Sequence, residues 1–111
     1  MEKAVKVWGR EVCLANTELY CAKYLYLDPG FACSLHRHLV KDETFVVLGG
    51  SCLLEHGDSQ RQMEPNDSQR IAPGTWHRFS NHGDTVCVIL EVSTHHSEED
   101  VERKEPSKKC S

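Results

Sequence analysis

The sequence predicts an all-β domain, folded as a sandwich or a barrel, and three observations favour this fold class. Seven short runs rich in β-branched and aromatic residues follow one another at near-regular spacing. Turn-forming residues stand between the runs, and no part of this region shows the apolar period of a helix. Closure into a barrel would also remove the exposed edges that so many strands create. The predicted strands are 18–28, 31–38, 44–48, 51–56, 61–64, 76–79 and 85–92.

Local turn chemistry sets the ends of these strands. Asp28-Pro29-Gly30 ends the first run, because proline fixes its own backbone and glycine accepts a left-handed conformation. Similar signals end the later runs, and the last run has the strongest β preference of all. The later turns are predicted at 49–50, 57–58, 65–67 and 73–74.

A chain of 111 residues is expected to form one domain. Residues 1–92 are predicted to form the barrel, and residues 93–111 a short polar C-terminal tail. Within the tail, residues 97–100 are rich in acids that suit the N-terminus of a short helix. A disordered, solvated end is the alternative, and both interpretations stay open.

Composition and charge exclude several kinds of partner. The net charge of −4 leaves no basic stripe to neutralise phosphates, so no nucleic-acid partner is expected. No apolar run approaches the roughly 18 residues that span a bilayer, so no membrane partner is expected either. The N-terminus lacks the apolar segment of a secretory signal, and the 6 cysteines are widely spaced without a CxxC pair. Reduced thiols, mostly packed as small core residues, are therefore expected in a cytoplasmic protein.

The residues that suggest chemistry begin with the pair His36 and His38. Side chains alternate along a strand, so these two imidazoles share a face and can converge on one ion. Glu43 opens the next strand and offers a carboxylate, and His77 follows a tight turn. An H-x-H pair alone arises easily by chance in a chain with 7 histidines, and two surface histidines are the alternative.

The complete spacing of these residues resembles the two motifs of the cupin superfamily. The second motif departs in one respect, because Pro73 and Gly74 are adjacent where the family usually has a residue between them. The resemblance extends over about residues 20–92. The matching residues are Gly30, His36, His38, Glu43 and Gly50 for the first motif, and Gly74, His77 and Asn81 for the second.

The resemblance implies a double-stranded β-helix, or jelly-roll barrel, that holds one divalent transition metal. By the same resemblance the metal ligands are His36, His38, Glu43 and His77. Three neutral imidazoles and one carboxylate suit Mn, Zn, Fe, Ni or Co, and the ligand set does not choose among them. Positions on the metal would stay open for substrate or water.

Shorter matches resemble mannose-6-phosphate isomerase-like and lyxose isomerase-like cupins. Val7-Trp8-Gly9 is similar to the P-W-G start of the first group, and Lys23 matches a lysine on a strand of those proteins. Residues 98–103 look like their E-D-D-I-x-R segment, although the Y-G-R that follows it is absent. Lys41 is similar to the lysine of the H-x-H-x-x-K-x-E stretch in lyxose isomerase-like cupins.

These resemblances imply an aldose–ketose isomerase or epimerase whose metal stabilises an enediolate. A base must then shuttle a proton, and the candidates are Lys41, Glu91 and Lys23. A solvated turn lysine is the alternative for Lys41, and structural roles are the alternatives for the other two. Two further functions stay open: a non-catalytic sugar- or small-ligand-binding cupin, and an Fe(II)-dependent dioxygenase. A small-molecule substrate, expected to be a sugar, and a homodimer formed around residues 5–8 are implied by the resemblance.

Overall fold

Thirteen β-strands fill the part of the chain that the computed structural model describes, residues 2–110. They pair antiparallel in two sheets, which confirms the all-β jelly-roll class. No helix in residues 2–110 is long and apolar enough to cross a bilayer. The strands are β1 (Glu2–Lys6), β2 (Gly9–Asn16), β3 (Cys21–Leu27), β4 (Phe31–Ala32), β5 (Leu35–Arg37), β6 (Glu43–Gly49), β7 (Cys52–His56), β8 (Ser59–Met63), β9 (Ser68–Ile71), β10 (His77–Ser80), β11 (Cys87–Ser93), β12 (Glu102–Glu105) and β13 (Lys108–Lys109).

The first sheet has the order β1-β2-β3-β11-β6-β9. The second has the order β12-β5-β10-β4-β13, with β7 also paired to β10 and β8 paired to β7. Strands distant in sequence therefore become neighbours, and the H-x-H segment lies beside the strand that begins at His77. The topology thus joins the two motifs that the sequence keeps about 40 residues apart.

Because side chains alternate along the strands of the first sheet, a cross-strand row that includes Lys23 and Glu91 points into the barrel. In β11, Cys87, Ile89 and Glu91 are buried, while the residues between them are half-buried. Glu91 lies opposite Lys23 of β3 on one side and Phe45 of β6 on the other. Directly opposite residues in a sheet point to the same face, so this row faces the barrel interior.

The interior is apolar at one end and polar at the other. The apolar end contains the cross-strand pair of Leu27 and Cys87, and the polar end contains Lys23, Glu91 and Glu43. Burial of charged groups is costly unless they are paired, so the contacts of the polar end decide what it can do. The apolar core consists of Leu27, Cys33, Phe45, Val47, Cys52, Leu54, Met63, Ile71, Phe79, Cys87 and Ile89.

Most of the cysteines lie buried in the barrel as free thiols. All six lie within the described residues and are free, and four of them are buried. This agrees with the interpretation that most act as small core residues. The buried four are Cys21, Cys33, Cys52 and Cys87.

The C-terminal tail adds two strands to the second sheet, β12 beside β5 and β13 beside β4. Where a helix start was considered, residues 97–100 form a turn that the N–H of Asp100 closes on the Ser97 carbonyl at 3.0 Å. The buried Arg78 fastens the tail, because it donates to the Glu105 carboxylate at 2.9 Å and to the Pro106 carbonyl at 3.0 Å. The tail thus packs as part of the barrel.

Candidate functional site

Three imidazoles meet at the polar end of the barrel. His36 on β5 lies directly opposite His77 on β10, and their ring centroids are 4.4 Å apart. His38, just after β5, has its ring 5.3 Å from that of His36 and 6.0 Å from that of His77. One nitrogen from each ring lies within 4.8 Å of the others, which is close enough for three ligands of one ion.

Each imidazole directs one ring nitrogen to a main-chain carbonyl. Nδ1 of His36 lies 2.8 Å from the Ser34 oxygen, and Nδ1 of His77 lies 2.9 Å from the Thr75 oxygen. Nδ1 of His38 lies 2.6 Å from the oxygen of Asp100. A carbonyl oxygen only accepts, so each Nδ1 carries a proton, and in the neutral form of such a ring Nε2 keeps a free lone pair. This is the arrangement by which proteins orient metal-binding histidines.

Glu43 supplies a carboxylate to the same cluster. Its two oxygens lie 3.3 Å from Nε2 of His77 and 3.7 Å from Nε2 of His38. Burial opposes ionisation, but the positive charge of Lys41 helps to outweigh it and lowers the pKa of Glu43. Burial, followed by the neighbouring His77, lowers the pKa of His36 to about 3, so this imidazole is neutral. Neutral imidazole and ionised carboxylate are the protonation states that bind metals.

One atom of the cluster tests whether a cation fits. Nε2 of His77 is fully buried and has no hydrogen-bond partner among residues 2–110. Because Nδ1 of His77 carries the ring proton, Nε2 and the Glu43 oxygen at 3.3 Å are two acceptors facing each other. Such a contact requires a shared proton or a cation, so the donor set fits a divalent transition metal.

Lys41 is buried beside the cluster, with 2% of its side chain exposed. Its ammonium donates to the carboxylates of Glu43 and Glu91, both at 3.1 Å, and to Nδ1 of His96 at 2.9 Å. An ammonium has three donors, and all three are used here. Burial alone would lower the pKa of Lys41, but the two carboxylates outweigh burial and raise it. Lys41 is therefore an ammonium held in place, and not a solvated turn lysine.

Glu91 and Lys23 form the wall next to Lys41. One oxygen of Glu91 accepts from Lys41 at 3.1 Å and from the Ser93 hydroxyl at 3.2 Å, while its other oxygen has no partner among the described residues. Lys23 is buried and pairs with Glu11 at 3.3 Å. Both side chains thus point into the barrel interior.

One cavity of about 390 Å³ joins these groups. This volume falls in the usual range for small-molecule sites, and Phe45 and Phe79 give it apolar walls. Every residue that the sequence suggested for metal binding or catalysis lines this cavity. These residues are His36, His38, Glu43, His77, Lys41, Glu91 and Lys23.

His96 also belongs to this cluster, and no motif in the sequence pointed to it. Its side chain is only 14% exposed, accepts from Lys41 through Nδ1 and donates through Nε2 to Glu98 at 3.0 Å. His96 follows the end of β11, so strand alternation could not place it; Asn16 holds its backbone by two hydrogen bonds at 3.0 Å. Glu11 and Arg103, which also line the cavity, were missed for the same reason of long-range packing.

Comparison with protein families decides the family. The family described as Cupin domain matches residues 23–93, which is more than half of the chain. The chain is a cupin. The match includes both histidine motifs, the connection that carries Lys41, and the strands that carry Glu43 and Glu91.

Curated relatives of this cupin include much longer proteins. A mannose-1-phosphate guanylyltransferase of Sinorhizobium fredii is 26% identical over 90 residues, which are 81% of this chain and 18% of that enzyme. A D-lyxose/D-mannose isomerase of Thermosediminibacter oceani is 30% identical over 76% of this chain and 61% of the isomerase. The cupin thus spans about a fifth of the guanylyltransferase.

Solved structures share the fold of this cupin. The capsular polysaccharide assembling protein CapF of Staphylococcus aureus superposes with a TM-score of 0.82 at 20% identity, over 94% of this chain and 34% of CapF. A sugar phosphate isomerase from Silicibacter pomeroyi has a TM-score of 0.75 at 18% identity, over 94% of this chain and 87% of that one. At these identities the similarity shows a shared barrel.

Proposed function

We propose that this cupin binds one divalent transition metal on His36, His38, Glu43 and His77, and that it isomerises or epimerises a sugar or sugar phosphate. The observation that carries this proposal is the buried Lys41–Glu91 pair, which lies beside the histidine cluster in the same cavity. The similarity to a D-lyxose/D-mannose isomerase, at 30% identity, supports the proposal.

The chain's own residues prepare the metal site. A metal bound there would act as a Lewis acid toward oxygens on neighbouring sugar carbons and stabilise negative charge that develops on them. The carbonyls of Ser34, Thr75 and Asp100 orient the three imidazoles before any ion arrives. Lys41 holds the Glu43 carboxylate from the other side, so the ligand keeps its position. Preformed ligands of this kind reduce the cost of binding.

Glu91 is the proposed catalytic base. One of its oxygens is fixed by Lys41 and Ser93, and the other is free to meet the substrate. In isomerisation it would take the proton from C2 of the aldose and return it to C1, while the proton of the C2 hydroxyl moves to the former carbonyl oxygen at C1. These transfers conserve atoms and electrons, so no further reactant is needed. A single fixed carboxylate reaches one face of the enediolate, so the step assigned to Glu91 is isomerisation. Lys41 positions this carboxylate, and Lys23 is proposed to bind a substrate hydroxyl.

Hydrogen exchange tests the proposal directly. Metal-loaded protein in D₂O should place deuterium at C2 of an aldose such as mannose or lyxose, which NMR detects, and should form the ketose. Glu91→Gln should keep the metal and lower the exchange rate by about 10²- to 10⁴-fold, the usual contribution of a positioned base. Glu98→Gln, a carboxylate on the exposed side of His96, is the matched control.

Other outcomes separate the alternatives. A thermal shift with a sugar but no exchange would replace the proposal with a non-catalytic binding cupin. Bound iron with substrate-dependent oxygen uptake would replace it with a dioxygenase.

Two further predictions concern the location of the protein and its oligomeric state. The six free thiols support a reducing, cytoplasmic location. The exposed Val5 and Val7, at the edge strand β1 and the turn after it, support a homodimer through this segment. Both stay predictions.

A further inference from the structure

We propose that Arg103 binds an oxyanion carried by the sugar, so that the cavity prefers a phosphorylated or carboxylated sugar over a neutral one. This inference rests on the proposed function, because it names the substrate class of the same cavity. It depends on three observations: the missing partner of Arg103, the direction of its side chain, and the pairing of the other cations in the cavity.

Arg103 is unusual among the arginines of the chain. It makes no ion pair, no side-chain hydrogen bond and no ring contact with residues 2–110, whereas each of the other five arginines makes one of these. An arginine without a protein partner is free to bind an anion from solution. The partners of the others are Tyr26 for Arg10, Glu102 for Arg37, Asp67 for Arg61, Asp42 for Arg70 and Glu105 for Arg78.

The strand directs Arg103 to the cavity. In β12, Arg103 lies directly opposite His36 of β5, and opposite residues in a sheet share a face. Its two neighbours face outward: Glu102 pairs with Arg37, and Lys104 lies 5.5 Å from the centre of the Trp76 ring. Arg103 therefore stands at the exposed rim of the cavity, on the side of the histidine cluster.

The other cations that line the cavity are already paired. Lys6 and Lys23 share the carboxylate of Glu11 at 3.2 and 3.3 Å. Lys41 lies between Glu43 and Glu91 at 3.1 Å from each. Among the described lining residues, Arg103 is thus the one lysine or arginine that an incoming anion meets unpaired.

The chemistry of arginine selects the ligand class. Its planar guanidinium donates two parallel hydrogen bonds to phosphate or carboxylate, and such charge-assisted pairs are stronger than neutral ones. A sugar whose carbonyl end lies at the histidines can place a substituent of its far end at the rim. A neutral hydroxymethyl group at that end would not accept both parallel hydrogen bonds of the guanidinium.

Binding measurements separate this inference from the catalytic proposal. Calorimetry on metal-loaded protein would compare mannose, mannose 6-phosphate and mannuronate as probes. We expect at least one anionic probe to bind about 10- to 100-fold more tightly than mannose, as one charge-assisted hydrogen bond predicts. The anion that shows the preference identifies phosphate or carboxylate as the group bound.

Two variants decide the role of Arg103. Arg103→Gln should abolish the preference for anionic probes and leave mannose binding unchanged. Arg103→Lys should keep part of that preference, because lysine keeps the positive charge but loses the two parallel donors of the guanidinium. Lys104→Gln, on the opposite face of the same strand, should bind like wild type. Equal binding of neutral and anionic probes, or a preference that survives Arg103→Gln, would overturn the inference.

Turnover then tests the proposed function independently. An anion preference without hydrogen exchange at C2 would leave Arg103 assigned as an anion-binding residue and would refute the isomerase. Exchange on neutral and anionic sugars with equal efficiency would support the isomerase and refute the role of Arg103.

Discussion

At the scale of single residues, the position of Lys41 explains how three charges can share the barrel interior. Two carboxylates and an imidazole surround one ammonium, and its three protons satisfy all of them. Because charges in a water-poor site are stable only when paired, removal of this one amine affects every neighbour. The residue thus links Glu43, a proposed metal ligand, to the proposed base Glu91.

Lys41→Met should therefore destabilise the metal-free protein strongly. The variant leaves Glu43 and Glu91 buried without a counter-charge, and the expected loss is about 3–5 kcal/mol in the free energy of unfolding. Urea titration in the presence of a chelator measures it. The double variant Lys41→Met/Glu91→Gln should recover part of the loss, and Lys104→Met is the surface control. A loss below about 1 kcal/mol would show that these charges are not coupled as described.

At the scale of strands, alternation and turn chemistry predicted most of the barrel, and long-range pairing decided the rest. The runs around β6 and β11 were recognisable because apolar side chains alternate or cluster between turn residues. β12 and β13 were not, because their sequences are polar and become strands only by pairing with β5 and β4. The strands β1, β2 and β9 were also missed.

The same limit applies to the site. Alternation along a strand predicted that His36 and His38 share a face, and the resemblance to the cupin motifs added Glu43 and His77 as ligands. Neither could find His96, whose side chain is brought in by a connection between Asn16 and the chain after β11. Contacts between residues 80 positions apart leave no periodic signal in the sequence.

Arg78→Gln should release the tail strands from the barrel. Arg78 is buried and makes three hydrogen bonds, to Cys33, Glu105 and Pro106, and glutamine cannot reproduce them. Hydrogen–deuterium exchange of residues 102–109 should accelerate, while β6 and β11 stay protected. Arg70→Gln, which breaks the exposed pair with Asp42, should leave exchange in the tail unchanged. Unaltered tail exchange in Arg78→Gln would show that backbone pairing alone holds β12 and β13.

At the scale of the whole molecule, the proposed metal site joins segments from distant parts of the chain. His36 and His38 belong to one segment, Glu43 to the next strand, and His77 to the second motif. A ligand that binds only the folded chain stabilises it by mass action, so an ion held by all three segments should raise the melting temperature.

Addition of Mn, Zn or Ni to chelator-treated protein should raise the melting temperature by roughly 10 °C at about 100 times the dissociation constant. His77→Gln should lose most of this shift, because it removes one proposed ligand. His82→Gln, at an exposed histidine outside the cavity, should keep it. Scanning calorimetry measures the shift, and equal shifts in the two variants would show that the ion binds elsewhere.

The hydrogen bond from His38 to the carbonyl of Asp100 connects the tail to the proposed metal site. The bond spans 62 positions of sequence, and the Asp100 carboxylate accepts from the N–H groups of Leu39, Val40 and Lys41 in the same connection. Docking of the tail and binding of the ion are then thermodynamically linked. The factor by which the docked tail raises the ion affinity equals the factor by which the bound ion favours tail docking. A single cut between residues 93 and 100 would weaken ion affinity without touching a ligand, and a bound ion would protect that segment from a protease.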